Sequence, residues 1–234
     1  MPDPISPFLA ARFPVGSRAL APHANAVTTL LVGRTGPVRI EVDGVRVEGD
    51  MLLVRPDVVH GVAFAERGAD VLYLNGLAFP FVAPLGQALT GKLAQAASDA
   101  MQGDASAVAD LRDRLAGGTG PRPDIAAVVR AIYADPMARM TQDELARRLG
   151  MERTRALRAF AAATGQSFRM FKLWFAVQHA TQAMAEGALV RTAAMDAGFA
   201  DTAHLSRMFR RAFGLTPSAA IAGLAMGRGK AALL

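Results

Sequence analysis

Six arginines stand in two clusters: Arg153, Arg155 and Arg158, then Arg207, Arg210 and Arg211. A guanidinium stays charged and donates in a planar fork, so it can grip a phosphate or the O6/N7 edge of a guanine. The clusters sit in matched surroundings. Arg158-x-Phe160 is followed by Gly165 and Ser167, and Arg207-x-Phe209 by Gly214 and Thr216. Upstream of each lies Ala-x-x-x-Gly, from Ala146 to Gly150 and from Ala194 to Gly198. The offset is 48 residues upstream and 49 downstream, so the copies differ by one residue in the turn. Two short helices around a glycine-containing turn, with arginines on the second, are the signature of a helix-turn-helix unit whose second helix enters the major groove.

The reading extends to the neighbours of these arginines. On the first recognition helix Arg153, Thr154, Arg155, Leu157 and Arg158 occupy the N-terminal half, the part that approaches base edges. Thr202, Ala203, His204, Ser206 and Arg207 hold the corresponding places on the second. Arg210 and Arg211, one turn later, are better placed for phosphates. Ion pairs with carboxylates of the same domain are the competing use of Arg158 and Arg207, and their matched places favour DNA. Phe160, Phe209 and Phe213 fall opposite the polar positions and read as core, as does Trp174 between Leu173 and Phe175.

Other chemistry is scarce. With no cysteine, the chain has no disulfide, thiolate metal site or cysteine nucleophile. A metal-dependent oxygenase of β-barrel type needs two close histidines, a carboxylate and a third histidine. The N-terminal half offers only His23 and His60, which read as structural or pocket-lining residues. No phosphate loop, nucleophile elbow or catalytic carboxylate pair stands out, so neither an enzyme nor a cofactor is expected.

The elements that must position these residues differ along the chain. Residues 26–33, 37–42, 45–47, 51–55 and 71–77 are short apolar runs, and Asp43-Gly44 between two of them is a hairpin signal. Leu85, Leu89, Leu93, Ala96, Ala100, Val108, Leu111 and Leu115 recur at a helical period, with a break at Gly103-Asp104. Their apolar stripe suits either the chain's own sheet or a second subunit. Residues 117–123 form the clearest linker.

Beyond it Asp124, Thr141 with Glu144, Ser167, Thr192, Asp201 and Thr216-Pro217 read as successive helix starts. The helix after Ser167 runs about 20 residues, roughly 30 Å, close to one turn of DNA. Charge is divided in the same way. Residues 1–120 carry ten basic and twelve acidic side chains, whereas residues 121–234 carry sixteen and eight. A polyanion partner is thus expected for the second half alone.

Leu145-Ala146, Thr164-Gly165-x-Ser167, Gly198-Phe199-Ala200-Asp201, Leu205-Ser206-Arg207-Met208-Phe209-Arg210 and Phe213-Gly214-Leu215-Thr216-Pro217 resemble the AraC family of bacterial transcription regulators. Departures from that pattern are Ala176, Thr192, Ala193, Ala203, Leu205 and Ala220-Ile221. The N-terminal part, with Gly49-Asp50 and Pro56-x-x-x-His60, resembles the family's cupin-like sensory domain.

The resemblance implies an α+β protein with a cupin-like β domain over residues 1–80, a helical dimerisation segment and linker over 81–120, and a double helix-turn-helix domain over 121–234. By family position Thr154, Leu157 and Arg158 face the groove. It further implies a sequence-specific regulator of double-stranded DNA in the cytoplasm, at the nucleoid, dimeric through residues 81–117 and open to control by a small-molecule effector. A non-catalytic ligand-binding or scaffolding protein with a degenerate helical domain is the alternative.

Overall fold

The computed structural model describes residues 20–65, 68–102, 105–117, 123–135 and 140–219. The expected break at Gly103-Asp104, most of the linker and the Ala220-Ile221 pair lie outside them.

The N-terminal half is a β-sandwich with a helical hairpin laid on one side. Its strands are β1 (Leu20–Ala24), β2 (Thr28–Gly33), β3 (Val38–Val42), β4 (Val45–Gly49), β5 (Met51–Val54), β6 (Val59–Ala63), β7 (Ala69–Leu74) and β8 (Gly86–Ala88). They form two antiparallel sheets, in the orders β1-β6-β3-β4 and β7-β2-β5-β8. Asp43 and Gly44 turn the β3–β4 hairpin with φ of 46° and 79°, the doubly positive geometry that such a two-residue loop requires.

Helices α1 (Gly91–Gln102) and α2 (Ala105–Leu115) complete this half. The second sheet is the middle layer. Alternate residues of a strand point to opposite faces, and here both faces are apolar. Leu31, Leu52, Val54, Val71 and Tyr73 face the other sheet, while Leu30, Leu53, Leu72 and Leu74 face the hairpin through Ala97, Ala100, Val108, Leu111 and Leu115. This double burial is why β2, β5 and β7 read as continuous apolar runs.

Several expectations change here. The helical stripe packs on the chain's own sheet. Leu85 and Leu89 flank a strand, not a helix: β8 pairs with β5 from Gly86 to Ala88, beyond the anticipated end of the β region. Strands β1 and β6 went unanticipated because Pro22 interrupts one and Gly61 the other, and β1 is an edge strand with a register shift after Leu20.

The second half contains α3 (Pro123–Ala134), α4 (Gln142–Leu149), α5 (Arg153–Thr164), α6 (Phe168–Ala185), α7 (Val190–Asp196) and α8 (Thr202–Phe213), with a further helical turn at 217–219. Two caps differ from expectation. Asp124 lies inside the first turn of α3, where its carboxylate accepts from the Ile125 amide. Helix α7 starts after Leu189 with no side-chain cap, leaving Thr192 inside the helix. Among the described residues no helix is long and apolar enough to cross a membrane.

Candidate nucleic-acid interface

The repeat has a hydrogen-bond explanation. Helix α4 ends on Gly150 in the left-handed conformation, φ 62°, and the Met151 amide reaches back to the Ala146 carbonyl at 3.0 Å. After α7 the Phe199 amide makes the same bond to the Ala194 carbonyl at 2.9 Å, around Gly198 at φ 80°. Both are six-to-one closures of the Schellman type, which need a residue tolerant of positive φ one place before the donor. Ala-x-x-x-Gly is thus the record of a turn.

The copies then diverge by one residue. Glu152 directly after Met151 caps α5, its carboxylate accepting from the Arg155 amide at 3.1 Å. In the second module Ala200 intervenes before Asp201, which caps α8 through the His204 amide at 2.5 Å. Amide donation holds the Glu152 carboxyl below the usual range, keeping it ionised at a helix start.

Burial sorts the anticipated DNA residues into outward and flanking positions. Ala156 and Phe160 anchor α5 inward, and Leu205, Phe209 and Phe213 anchor α8. Thr154, Arg155 and Arg158 therefore project outward on α5, as do Ala203, Arg207 and Arg210 on α8. Leu157, Thr202, His204 and Ser206 are half-buried on the flanks. The His204 ring stands edge-on to Phe199 at 5.2 Å, so it also braces the turn. Arg153 is exposed and 3.8 Å from Asp143 of α4. Among the described residues Arg158 and Arg207 make no ion pair, which leaves both guanidinium forks open to a ligand.

Arg211 differs from its neighbours. Its charge acts on Asp57 of the sandwich, where desolvation raises the carboxyl pKa and Arg211 lowers it. Arg211 therefore faces the β domain as well as solvent.

Helix α6 carries both modules. Capped by Ser167 through the Met170 amide, it is 18 residues long, or roughly 27 Å at 1.5 Å per residue. Trp174 is buried as anticipated, but its partner lies across the molecule: Nε1 donates to Asn75 Oδ1 at 2.6 Å, which also accepts from Gln178 Nε2 at 3.2 Å. Tyr73 lies 5.1 Å from Trp174 and 5.6 Å from Phe213, ring to ring. Burial raises the Tyr73 phenol pKa, so it stays neutral.

Two turns press on the sandwich. A side chain at Gly165 would come within 2.9 Å of Ala78, and one at Gly214 within 2.5 Å of the Ala21 carbonyl and 2.9 Å of His23. This junction was invisible in the sequence. Its partners lie far apart in the chain, Gly165 from Ala78 and Gly214 from Ala21, and share no motif.

His23 and His60 meet there, paired across β1 and β6 with rings 5.0 Å apart. Nδ1 of each lies on a backbone carbonyl, Ala21 at 2.9 Å and Val58 at 2.7 Å. A carbonyl only accepts, so each Nδ1 carries the proton. Desolvation lowers both pKa values, His60 to about 4. Among the described residues no group of three or more His, Cys, Asp or Glu could hold a metal ion.

Residues 145–222 match the family model of a helix-turn-helix domain. Over about nine-tenths of its length the chain has the fold of ToxT from Vibrio cholerae. Apo ToxT K231A superposes with a TM-score of 0.60 at 11% identity, covering 91% of this chain and 96% of that one. ToxT from strain O395 gives 0.59 at 11%, covering 93% and 98%. Wild-type ToxT bound to unsaturated fatty acid gives 0.58 at 12%, covering 92% and 94%. No curated protein sequence matches the chain.

Proposed function

We propose that the protein is a sequence-specific transcription regulator that inserts α5 and α8 into adjacent major-groove segments of double-stranded DNA. The observation that carries this reading is the pair of like-built turns, each presenting an outward arginine, Arg158 and Arg207, on a helix held from behind by phenylalanine. The roughly 27 Å length of α6, which joins the two modules, is comparable to one turn of duplex and supports this reading. The basic surplus lies wholly in residues 121–234, and it supplies sequence-independent phosphate attraction.

Control by a small molecule belongs to the same reading. It is supported by the fatty-acid-bound state of ToxT and by a cavity at the junction of this chain, with walls from both halves. An occupant touching the sandwich and α8 together would bias how the DNA-reading domain sits. Dimerisation, if mediated by residues 81–117, would use the outer side of the hairpin, since the stripe is occupied.

Selection of bound fragments from random DNA tests the proposal. A common site with two contacted segments on one face of the duplex is expected. Recovery of unrelated sequences at moderate salt would overturn it and favour a scaffolding role.

A further inference from the structure

Arg211 continues the line of Arg207. Four residues on, it lies one turn later on the same face of α8, and both side chains are exposed. In the proposed complex that stripe runs from base edges at Arg207 toward phosphates at Arg211. Arg211 also borders a narrow cleft between the halves of the molecule. Ala24, Ala26 and Asp57 line it on the sandwich side, and Trp174, Met208 and Arg211 are among those lining it on the helical side. Its free volume of about 20 Å³ has room for about one water and no larger ligand. The two charges at its edge are left to act on each other.

Asp57 stands in the turn between β5 and β6. Its φ of 59° lies in the left-handed region, and its amide donates to the Asn25 carbonyl at 2.9 Å. Such a turn needs a residue tolerant of positive φ, which asparagine or glycine satisfies as well as aspartate. The carboxylate adds nothing to the turn: among the described residues it makes no hydrogen bond and no direct ion pair. Desolvation at the cleft opposes its charge, and the charge of Arg211 favours it. A carboxylate that the turn does not require, set across a cleft from a helix proposed to bind phosphates, is an anion in competition with them.

We propose that Asp57 is an internal competitor of DNA: fixed on the sandwich, its carboxylate draws the Arg211 side chain toward the cleft and withholds one phosphate contact from α8. This role for Asp57 rests on the DNA-facing function of α8 proposed above. It makes the sandwich a brake on affinity for all sequences alike, since phosphate contacts carry no sequence information.

The test is fluorescence-anisotropy titration of the full chain against a duplex of arbitrary sequence at low salt, where exposed charges are least screened. Asp57→Asn keeps the left-handed turn and should tighten binding about two- to fivefold. Asp57→Gly, which also fits the turn, should do the same. With Arg211→Ala in the same chain the gain should vanish, so that the double variant binds like Arg211→Ala alone. Asp43→Asn makes the same change of charge at the other left-handed aspartate of the sandwich, and it should leave affinity unchanged. Circular dichroism checks that each variant folds.

Affinity unmoved by both Asp57 variants, a gain that survives Arg211→Ala, or an equal gain in Asp43→Asn would overturn the proposal. Phosphate attraction needs no particular sequence, so an arbitrary duplex decides this point even when selection from random DNA recovers no common site. That second result sinks the regulator alone.

Discussion

Arg207 and Arg210 lie one turn apart on α8 and both stand outward, and the proposed docking gives them different work. Arg207 stands outward in the N-terminal half of the helix, the half that would enter the groove in the proposed complex. Arg207→Ala should cost about 1–3 kcal/mol and relax preference at one base position. Arg210→Ala should weaken all sequences alike and lower the salt slope by about 1, read from binding isotherms at several salt concentrations. Arg211 is exposed like Arg210 but also acts on Asp57 of the sandwich, so it should contribute less to that slope.

The histidine pair makes a separate prediction at this scale. An unfolded imidazole takes a proton below about pH 6.5, whereas buried His60 resists until about pH 4. The unfolded chain thus binds more protons in that window. Stability should be constant above pH 6.5 and fall as pH drops toward 4, by up to about 3 kcal/mol from His60 alone. Urea unfolding at stepped pH should show this slope, flattened in His60→Asn; an equal slope in the variant would assign it to other groups.

At the scale of elements, the glycines that end helices are not equivalent. Gly150 and Gly214 share a left-handed φ, 62° and 68°, but a Cβ at Gly150 meets open space while one at Gly214 meets the Ala21 carbonyl. Gly150→Ala should cost about 1–2 kcal/mol, the left-handed strain alone. Gly214→Ala should cost clearly more, because β1 must move as well. Equal losses in urea denaturation would refute the steric part.

The same contrast explains what was legible in advance. Caps, turn glycines and the strut are local, so Ser167, Asp201, Gly150 and Gly214 announced themselves in sequence. The hairpin at Asp43-Gly44 and the β2, β5 and β7 runs did too. Strand β8 did not, because Gly86-Gln87-Ala88 has no strand composition and is held by its pairing with Leu52, Leu53 and Val54. The cap of α7 was misplaced because a side-chain oxygen at Thr192 suggested a start, whereas the chain bends at exposed Leu189.

For the whole molecule, the Asn75–Trp174–Gln178 bonds and the Tyr73, Trp174 and Phe213 rings join sandwich and helical domain into one core. The two recognition helices should therefore present a fixed spacing. Inserting about half a helical turn of base pairs between the contacted segments of a selected site should abolish two-segment binding. A full turn should fail to restore it, since α6 cannot lengthen; footprinting reports either outcome.

This shared core also imposes an order in time. Asn75 and Trp174 are 99 residues apart, and at ribosomal rates of about 5–20 residues per second that is a wait of roughly 5–20 s. The sandwich strands are all made before α6, yet Tyr73 lacks its aromatic neighbours until α6 and then α8 follow. For that interval the nascent chain carries an unfinished apolar wall, a natural place for a chaperone to act during synthesis.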